Sequence, residues 1–370
     1  MTRIPSVTRV SRLFRTDEVS VGERVVVRRY LDGPGSHVTD VIGHVVSLDP
    51  LVLRPQKVGG LPSSAPTLSI PREQIQVLKR LSPRRVRNSD IRAIEVATAK
   101  AFPGQEHTLI DGWFTRAGAD IAERSNSATP IGPSAGFRPV PIREIHEFYA
   151  SRGLPTRLLV PERIGAAAEK LLVGAGEGHW SVGPEIITMT TALHGSAAAD
   201  EPIEAEELST LVFEVTDEPD EDWLAMYHFR GQPLPPDALR ALAKTIDGKI
   251  TFGRLKHQGQ TIAVTRGTLT SSSMDTPSFD SGYAGVGMDG GRGSSKSDVV
   301  WLGYSAVEVA PAWRRRGVGT LLGRKMRQWG REHGATNAYL QVLGSNEAGL
   351  RLYRKLGFEE HHRLRYFTLR

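Results

Sequence analysis

The residues best suited by type and spacing to do chemistry lie in Val309–Leu322, which reads V-A-P-A-W-R-R-R-G-V-G-T-L-L. An alternating apolar stretch ends at Val309, Pro311 stops the backbone ladder, and two glycines then open an amphipathic helix. The first turn of a helix offers unpaired N–H groups and the positive end of the backbone dipole. Such a corner holds phosphate. Gly317 and Gly319 carry no Cβ, so a ligand can approach the backbone closely. Arg314, Arg315 and Arg316 add positive charge, and each charge-assisted hydrogen bond is worth about 1.5–3 kcal/mol. Two other glycine patterns do not compete. No Gly-Lys pair sits before Ser or Thr in a suitable turn, so a Walker A loop is excluded. Gly285–Gly290 spells G-x-G-x-x-G, but no strand leads into it and no helix follows.

R-x-x-G-x-G after a strand and V-x-P is followed here by N-x-x-x-x-x-L-Y-x-x-x-G-F. Its residues are Arg314, Gly317, Gly319, Asn346, Leu352, Tyr353, Gly357 and Phe358. This combination resembles the GCN5-related N-acetyltransferases (GNATs), and the resemblance covers most of 205–370. The wider layout is similar to an actinobacterial subgroup with an SH3-like barrel ahead of the acetyltransferase, sometimes labelled histone-acetyltransferase-like. The resemblance implies acetyl-CoA as cofactor; no metal is expected. Its diphosphate would lie on the amides of Arg315, Arg316, Gly317, Val318, Gly319 and Thr320, beside Arg314. Its pantetheine arm would pair with the backbone of Val307, Glu308 and Val309, which needs a splayed strand edge such as a bulge before Pro311 provides. Asn346 would bond the pantetheine or orient the helix after it.

The same resemblance makes Tyr353 the catalytic acid. Attack of an amine on a thioester expels a thiolate, and a phenol with a reference pKa near 10 can protonate it. The base is open. Gln341 stands where some relatives carry Glu and cannot take a proton. Gly303 and Ser305 stand where others carry acids. Glu308 is the nearest acid, with a water chain or an acceptor that arrives neutral as alternatives. His361-His362 has no third ligand at metal-site spacing.

These residues need elements to position them. Glu23–Tyr30, Thr39–Leu48, Leu51–Leu53, Thr67–Ile70 and Gln74–Leu81 read as five short strands, the count of an SH3-like barrel over 1–82. Gly43 marks a bulge or a close approach. A second, degenerate GNAT-like unit is expected over 83–200. It has a helix Asp90–Ala101 capped by Asp90, strands Gly112–Arg116, Ile121–Ser125, Arg157–Val160 and Ile187–Ala192, a loop at 129–141, and a helix Ile142–Arg152. FYASRGL at 148–154 echoes LYRKLGF at 352–358, each a helix end followed by Gly, which suggests a duplicated unit. The first copy lacks an RRRGVG counterpart.

The catalytic unit is expected over 201–370. Trp223–Phe229 reads as a strand or short helix, and Pro236–Ile246 as a helix. Strands follow at Lys249–Leu255, Thr261–Thr268, Val299–Val309, Ala338–Val342 and His361–Thr368. Helices are expected at Gly317–His333 and Asn346–Leu356. A Ser- and Gly-rich flexible insertion is expected at 271–297. The fold class is α/β (α+β), tandem GNAT-like units behind a small barrel.

Composition agrees. The 370 residues suit two or three domains, and 39% apolar content supports a real core. No apolar run reaches membrane length and the N-terminus lacks a signal-peptide core, so a cytoplasmic location is expected. With no cysteine, disulfides and a thiol nucleophile are excluded. Charge is uneven: residues 200–222 hold 11 acids and no base, and 301–370 hold 13 bases against 5 acids. The expected reaction is direct transfer of acetyl from acetyl-CoA to a primary amine, a small molecule first. The alternatives are a protein Lys or N-terminal acceptor, or a non-catalytic regulator that senses CoA or binds nucleic acid. The barrel is a possible docking module for protein or nucleic acid, and the chain is read as a monomer or homodimer.

Overall fold

The computed structural model describes residues 13–31, 37–118, 122–174, 179–194, 206–229, 232–233, 236–274 and 299–370. Most of the expected insertion at 271–297 lies outside them. The chain divides into two compact units. One is Met1–Arg87 with Glu360–His362, and the other is Asn88–Glu359 with Arg363–Arg370.

The first unit is an antiparallel sheet of β1 (Arg24–Tyr30), β2 (Val38–Leu48), β3 (Leu51–Pro55), β4 (Leu68–Ile70) and β5 (Ile75–Arg80), in the order β4-β3-β2-β1-β5. Return of the last strand to the first is the connectivity of a small barrel. Val25, Val27, Val45, Leu53 and Ile70 form its interior, so the period-two pattern does fill a core. Gly43 is a close approach: a Cβ there would meet the Arg54 carbonyl. The bulge falls further on, between Val45 and Ser47.

The second unit is built on one twelve-stranded sheet. Its earlier strands are β6 (Glu106–Ile110), β7 (Trp113–Ala117), β8 (Ala128–Pro130), β9 (Arg157–Pro161), β10 (Trp180–Val182) and β11 (Ile186–Ala192). Its later strands are β12 (Val212–Thr216), β13 (Lys249–His257), β14 (Gln260–Ser271), β15 (Val300–Val309), β16 (Asn337–Leu343) and β17 (Glu359–Leu369). The order is β12-β13-β14-β15-β16-β11-β17-β9-β8-β7-β6, with β10 on β17. The expected boundary near 200 therefore falls inside a shared sheet. β11, from before it, lies against β16, and the last strand β17 lies against β9.

The helices used below are α1 (Asn88–Ala101), α2 (Ile142–Ala150), α3 (Glu221–Met226), α4 (Pro236–Thr245), α5 (Val318–Glu332) and α6 (Glu347–Lys355). α5 buries Val318, Leu322, Met326 and Trp329, a stripe at near-helical spacing. Gly323 and Gly330 let α5 close on Leu356 and Leu302. α1 is buried on most of its circumference, from Ile94 to Ala101.

Three local expectations change. α1 begins at Asn88, so Asp90 sits inside its first turn and is not the cap. Ile121–Ser125 is not a strand: Glu123–Ser125 is a 3-10 turn, and residue 121 lies outside the described residues. The loop at 129–141 contributes to β8. Among the described residues no helix is long and apolar enough to cross a membrane.

Candidate functional site

The site begins at a defect in the sheet. β15 pairs antiparallel with β14, with Glu308 opposite Val264 but Ser305 opposite Arg266. Ala306 and Val307 thus oppose Thr265 alone, which is a bulge. Ala306 has φ of 54°, in the left-handed region. On its other side β15 pairs parallel with β16 only from Trp301–Asn337 to Gly303–Tyr339. β16 then continues against β11. The edge from Tyr304 to Val309 is left without a strand partner on that side among the described residues, so its backbone groups face an opening gap.

At the mouth of that gap stands the first turn of α5. Its N-cap is Gly317, with φ of 89° and no side-chain cap. The first helix-type bond runs from Leu321 N–H to the Gly317 carbonyl, which leaves the amides of Val318, Gly319 and Thr320 outside the helix ladder. No acidic residue occupies the first turn. Arg315 is left-handed as well, with φ of 66°. A Cβ on Gly317 would come within 3.1 Å of Leu208, and one on Gly319 within 3.3 Å of Leu352.

The three arginines differ in what they touch. Arg314 turns back on the strand end, donating to the Val309 carbonyl and to Glu308, each at 2.9 Å. Arg316 donates to Glu207 at 3.0 Å and lies over the Trp313 ring. Arg315 makes no hydrogen bond or ion pair among the described residues. Exposed pairs of this kind are worth about 1 kcal/mol or less, so they exchange readily for a phosphate.

Tyr353 enters the gap from α6. Its ring packs edge-on to Tyr304 of β15 and to Phe358, each at 6.2 Å between centroids. Burial pushes its phenol up to about 12, and Arg124 acts in the opposite sense. The phenol therefore keeps its proton at neutral pH and can donate it. Asn346 caps α6, its Oδ1 accepting the Gly349 N–H at 2.9 Å. Replacing Asn346 by Ala is expected to lower stability by about 1 kcal/mol, read as a shift in urea midpoint at unchanged slope.

The helix-end echo is reproduced in three dimensions. Gly153 and Gly357 both have positive φ, and Leu154 and Phe358 N–H donate to the carbonyls of Tyr149 and Tyr353 respectively. Tyr149 thus occupies the place in the first copy that Tyr353 holds in the second. Its hydroxyl is spent on the Arg116 carbonyl at 3.1 Å.

Candidate bases are scarce. Glu308 is held by Arg314 and reaches an amine only when that pair opens. A Cβ at Gly303 would lie 2.9 Å from the Tyr339 hydroxyl, so that position has no room for an acid. Gln341 is half-buried, and its two buried amide atoms are bonded to no described residue. Among the described residues no cluster of three or more His, Asp or Glu stands ready for a metal.

Two arginines on the opposite side of β15 from α5 were passed over in the sequence. Arg124, in the Glu123–Ser125 turn, and Arg266, on β14, lie 5.0 and 4.1 Å from the centre of the same Phe102 ring. Arg266 is buried, and burial together with Arg124 pushes it down to about 10. The clue was a single charge in T-I-A-V-T-R-G-T-L-T, a strand otherwise free of it. Tyr227, just after α3, packs against the same core cluster as Ala306 at the bulge.

The tyrosines also set an alkaline limit. Burial raises Tyr149, Tyr304, Tyr339, Tyr353 and Tyr366, the last to about 12. Above pH ~10 the unfolded chain loses phenol protons that the native state retains, so stability falls as pH rises. A urea series from pH 7 to 11 is expected to be flat in these groups below about pH 9 and to drop steeply beyond pH 10.

A family model described as probable histone acetyltransferase Rv0428c, C-terminal, matches residues 88–285 and 292–367. The chain is 33% identical over 348 residues to the probable histone acetyltransferase Rv0428c of Mycobacterium tuberculosis, covering 94% of each. It is 25% identical over 279 residues to the uncharacterized N-acetyltransferase YobR of Bacillus subtilis, covering 74% of this chain and 97% of that one. In fold it is similar to a GCN5-related N-acetyltransferase from Kribbella flavida. That similarity has a TM-score of 0.50 at 15% identity and covers 75% of this chain and 95% of that chain.

Proposed function

Since this chain belongs to the Rv0428c C-terminal family of GNAT-type acetyltransferases, we propose that it transfers acetyl from acetyl-CoA to the primary amine of a small molecule, without a covalent enzyme intermediate. The observation that carries this reading is the parting of β15 from β16 after Gly303, with the open first turn of α5 at the mouth and Tyr353 inside. The residues fit the cofactor: a Cβ-free cradle at Gly317, three amides outside the helix ladder, and an unpaired strand edge.

Acetyl-CoA supplies the activated acyl group, the amine nitrogen bonding the carbonyl carbon as the carbon–sulfur bond breaks and CoA leaves. The amides of Val318, Gly319 and Thr320, with Arg315, would hold the diphosphate. Backbone groups of Val307 and Val309, on the strand edge beyond the β15–β16 pairing, would align the pantetheine arm. Tyr353 gives its hydroxyl proton to the leaving sulfur and regains one from solvent. Its high phenol pKa makes this transfer uphill, and the Arg124 charge eases it. The amine's surplus proton goes to water, directly or through Glu308 once Arg314 releases it.

Calorimetry with acetyl-CoA, followed by release of CoA over a panel of amines, tests this reading. Binding with turnover of at least one small amine is the expected result. Absence of any heat with acetyl-CoA sinks it. A Lys-rich peptide in the same panel addresses the acceptor suggested by the relative's name.

A further inference from the structure

Arg266 presents an energetic problem that the reading above leaves unsolved. Its side chain is buried; among the described residues its Nε has no hydrogen-bond partner, and its Nη2 reaches the Ala101 carbonyl at a long 3.4 Å. Arg124 makes no hydrogen bond or ion pair among the described residues. Removing a guanidinium from water without a paired anion is strongly unfavourable, and one aromatic face recovers only part of that. Here a second cation, Arg124, lies against the same ring. Among the described residues, no carboxylate is one of the groups that shift Arg266. Glu308 pairs with Arg314, and Glu95 acts on Arg116 but is not among the groups acting on Arg266. Glu123 acts on Tyr366. The groups that do act on Arg266 are Arg124, Tyr227 and Tyr339.

The two arginines also stand at the reaction site. Arg266 is opposite Ser305, beside the bulge, and Tyr227 and Ala306 pack against one core cluster. Arg124 acts on Tyr353 itself. An anion bound by the pair would therefore lie on the acceptor side of the gap, across β15 from α5.

We propose that Arg124 and Arg266 bind an acidic group of the acceptor, so that the amine acetylated belongs to a small molecule carrying a carboxylate or phosphate. This rests on the acetyltransferase reading and narrows its substrate class. Two guanidiniums would repel polyamines, aminoglycosides and basic peptides. The acid is complementary in charge, and its oxygens take up the guanidinium N–H groups that the protein leaves idle.

The test is a matched series: amino acids against their carboxamides, ethanolamine phosphate against ethanolamine, and spermidine as a cationic control. Charge-assisted bonds predict that the favoured acid exceeds its uncharged partner roughly tenfold to a hundredfold in kcat/KM. Arg266→Met and Arg124→Met should each bring that ratio towards one. Arg124 is only partly buried, so its variant serves if Arg266→Met does not fold. The amino-acid and phosphate arms separate the two anion types. A second readout needs no turnover. Calorimetry of the same acids into protein saturated with CoA should show binding that Arg124→Met loses. Acids that bind without any turnover keep this site and remove the acetyltransferase reading. Uncharged partners that match their acids in wild-type protein, a ratio unmoved by both substitutions, or no binding of any acid would overturn the proposal.

Discussion

Tyr353→Phe is expected to lower kcat by roughly a hundredfold or more and to leave the affinity for acetyl-CoA within about twofold. The ring contacts to Tyr304 and Phe358 do not involve the hydroxyl, so the phenylalanine keeps the packing that holds α6 against β15. What disappears is the phenol proton that Tyr353 keeps at neutral pH. Positioned proton transfer is typically worth 10²–10⁴-fold. The pH profile adds a check. With the phenol pushed up to about 12, wild-type kcat should show no alkaline limb from Tyr353 below about pH 11. A variant that retains full kcat would return Tyr353 to the role of a core side chain.

Gly317→Val is expected to weaken acetyl-CoA binding by at least about tenfold and to lower stability by roughly 2 kcal/mol. The φ of 89° is accessible to glycine and strained for a β-branched residue, and the new Cβ would press on Leu208. Relief requires the turn to rotate, which carries the amides of Val318 and Gly319 out of line. Gly334→Ala is the control. It sits at the other end of α5 with φ of 86° and open space around it. It should lose stability through backbone strain alone and bind acetyl-CoA as wild type does. Equal losses of affinity in both variants would show that helix stability, and not the cradle, sets binding.

Much of this was readable along the chain. The R-x-x-G-x-G turn declares itself because strand end, proline, glycines and helix onset all fall within fourteen residues. Asn346 and Tyr353 follow from one short helix with its own cap. The barrel strands were legible from alternation, although Gly43 and the bulge separate into two neighbouring features. The Asp90 and 121–125 readings failed because helix starts and short strands depend on neighbours: Asn88 opens α1 two residues earlier, and the 123–125 stretch closes into a 3-10 turn.

By itself, then, the order of residues determined the local chemistry: a phosphate-ready turn, a phenol on a capped helix, and a repeated helix end. All of these depend on contacts a few residues apart. Only the tertiary structure decided that β11 and β17 join the two halves into one sheet and that β15 parts from β16 after Gly303. It alone sets Arg124 and Arg266 on one phenylalanine ring. Strand partnership and burial are settled by segments far apart in the chain. Arg266 and the Ala101 carbonyl it reaches are 165 positions apart. A lone charge in an otherwise uncharged strand hints at Arg266, but that it is taken out of water is decided by the helix that covers it, which comes from the other half of the molecule.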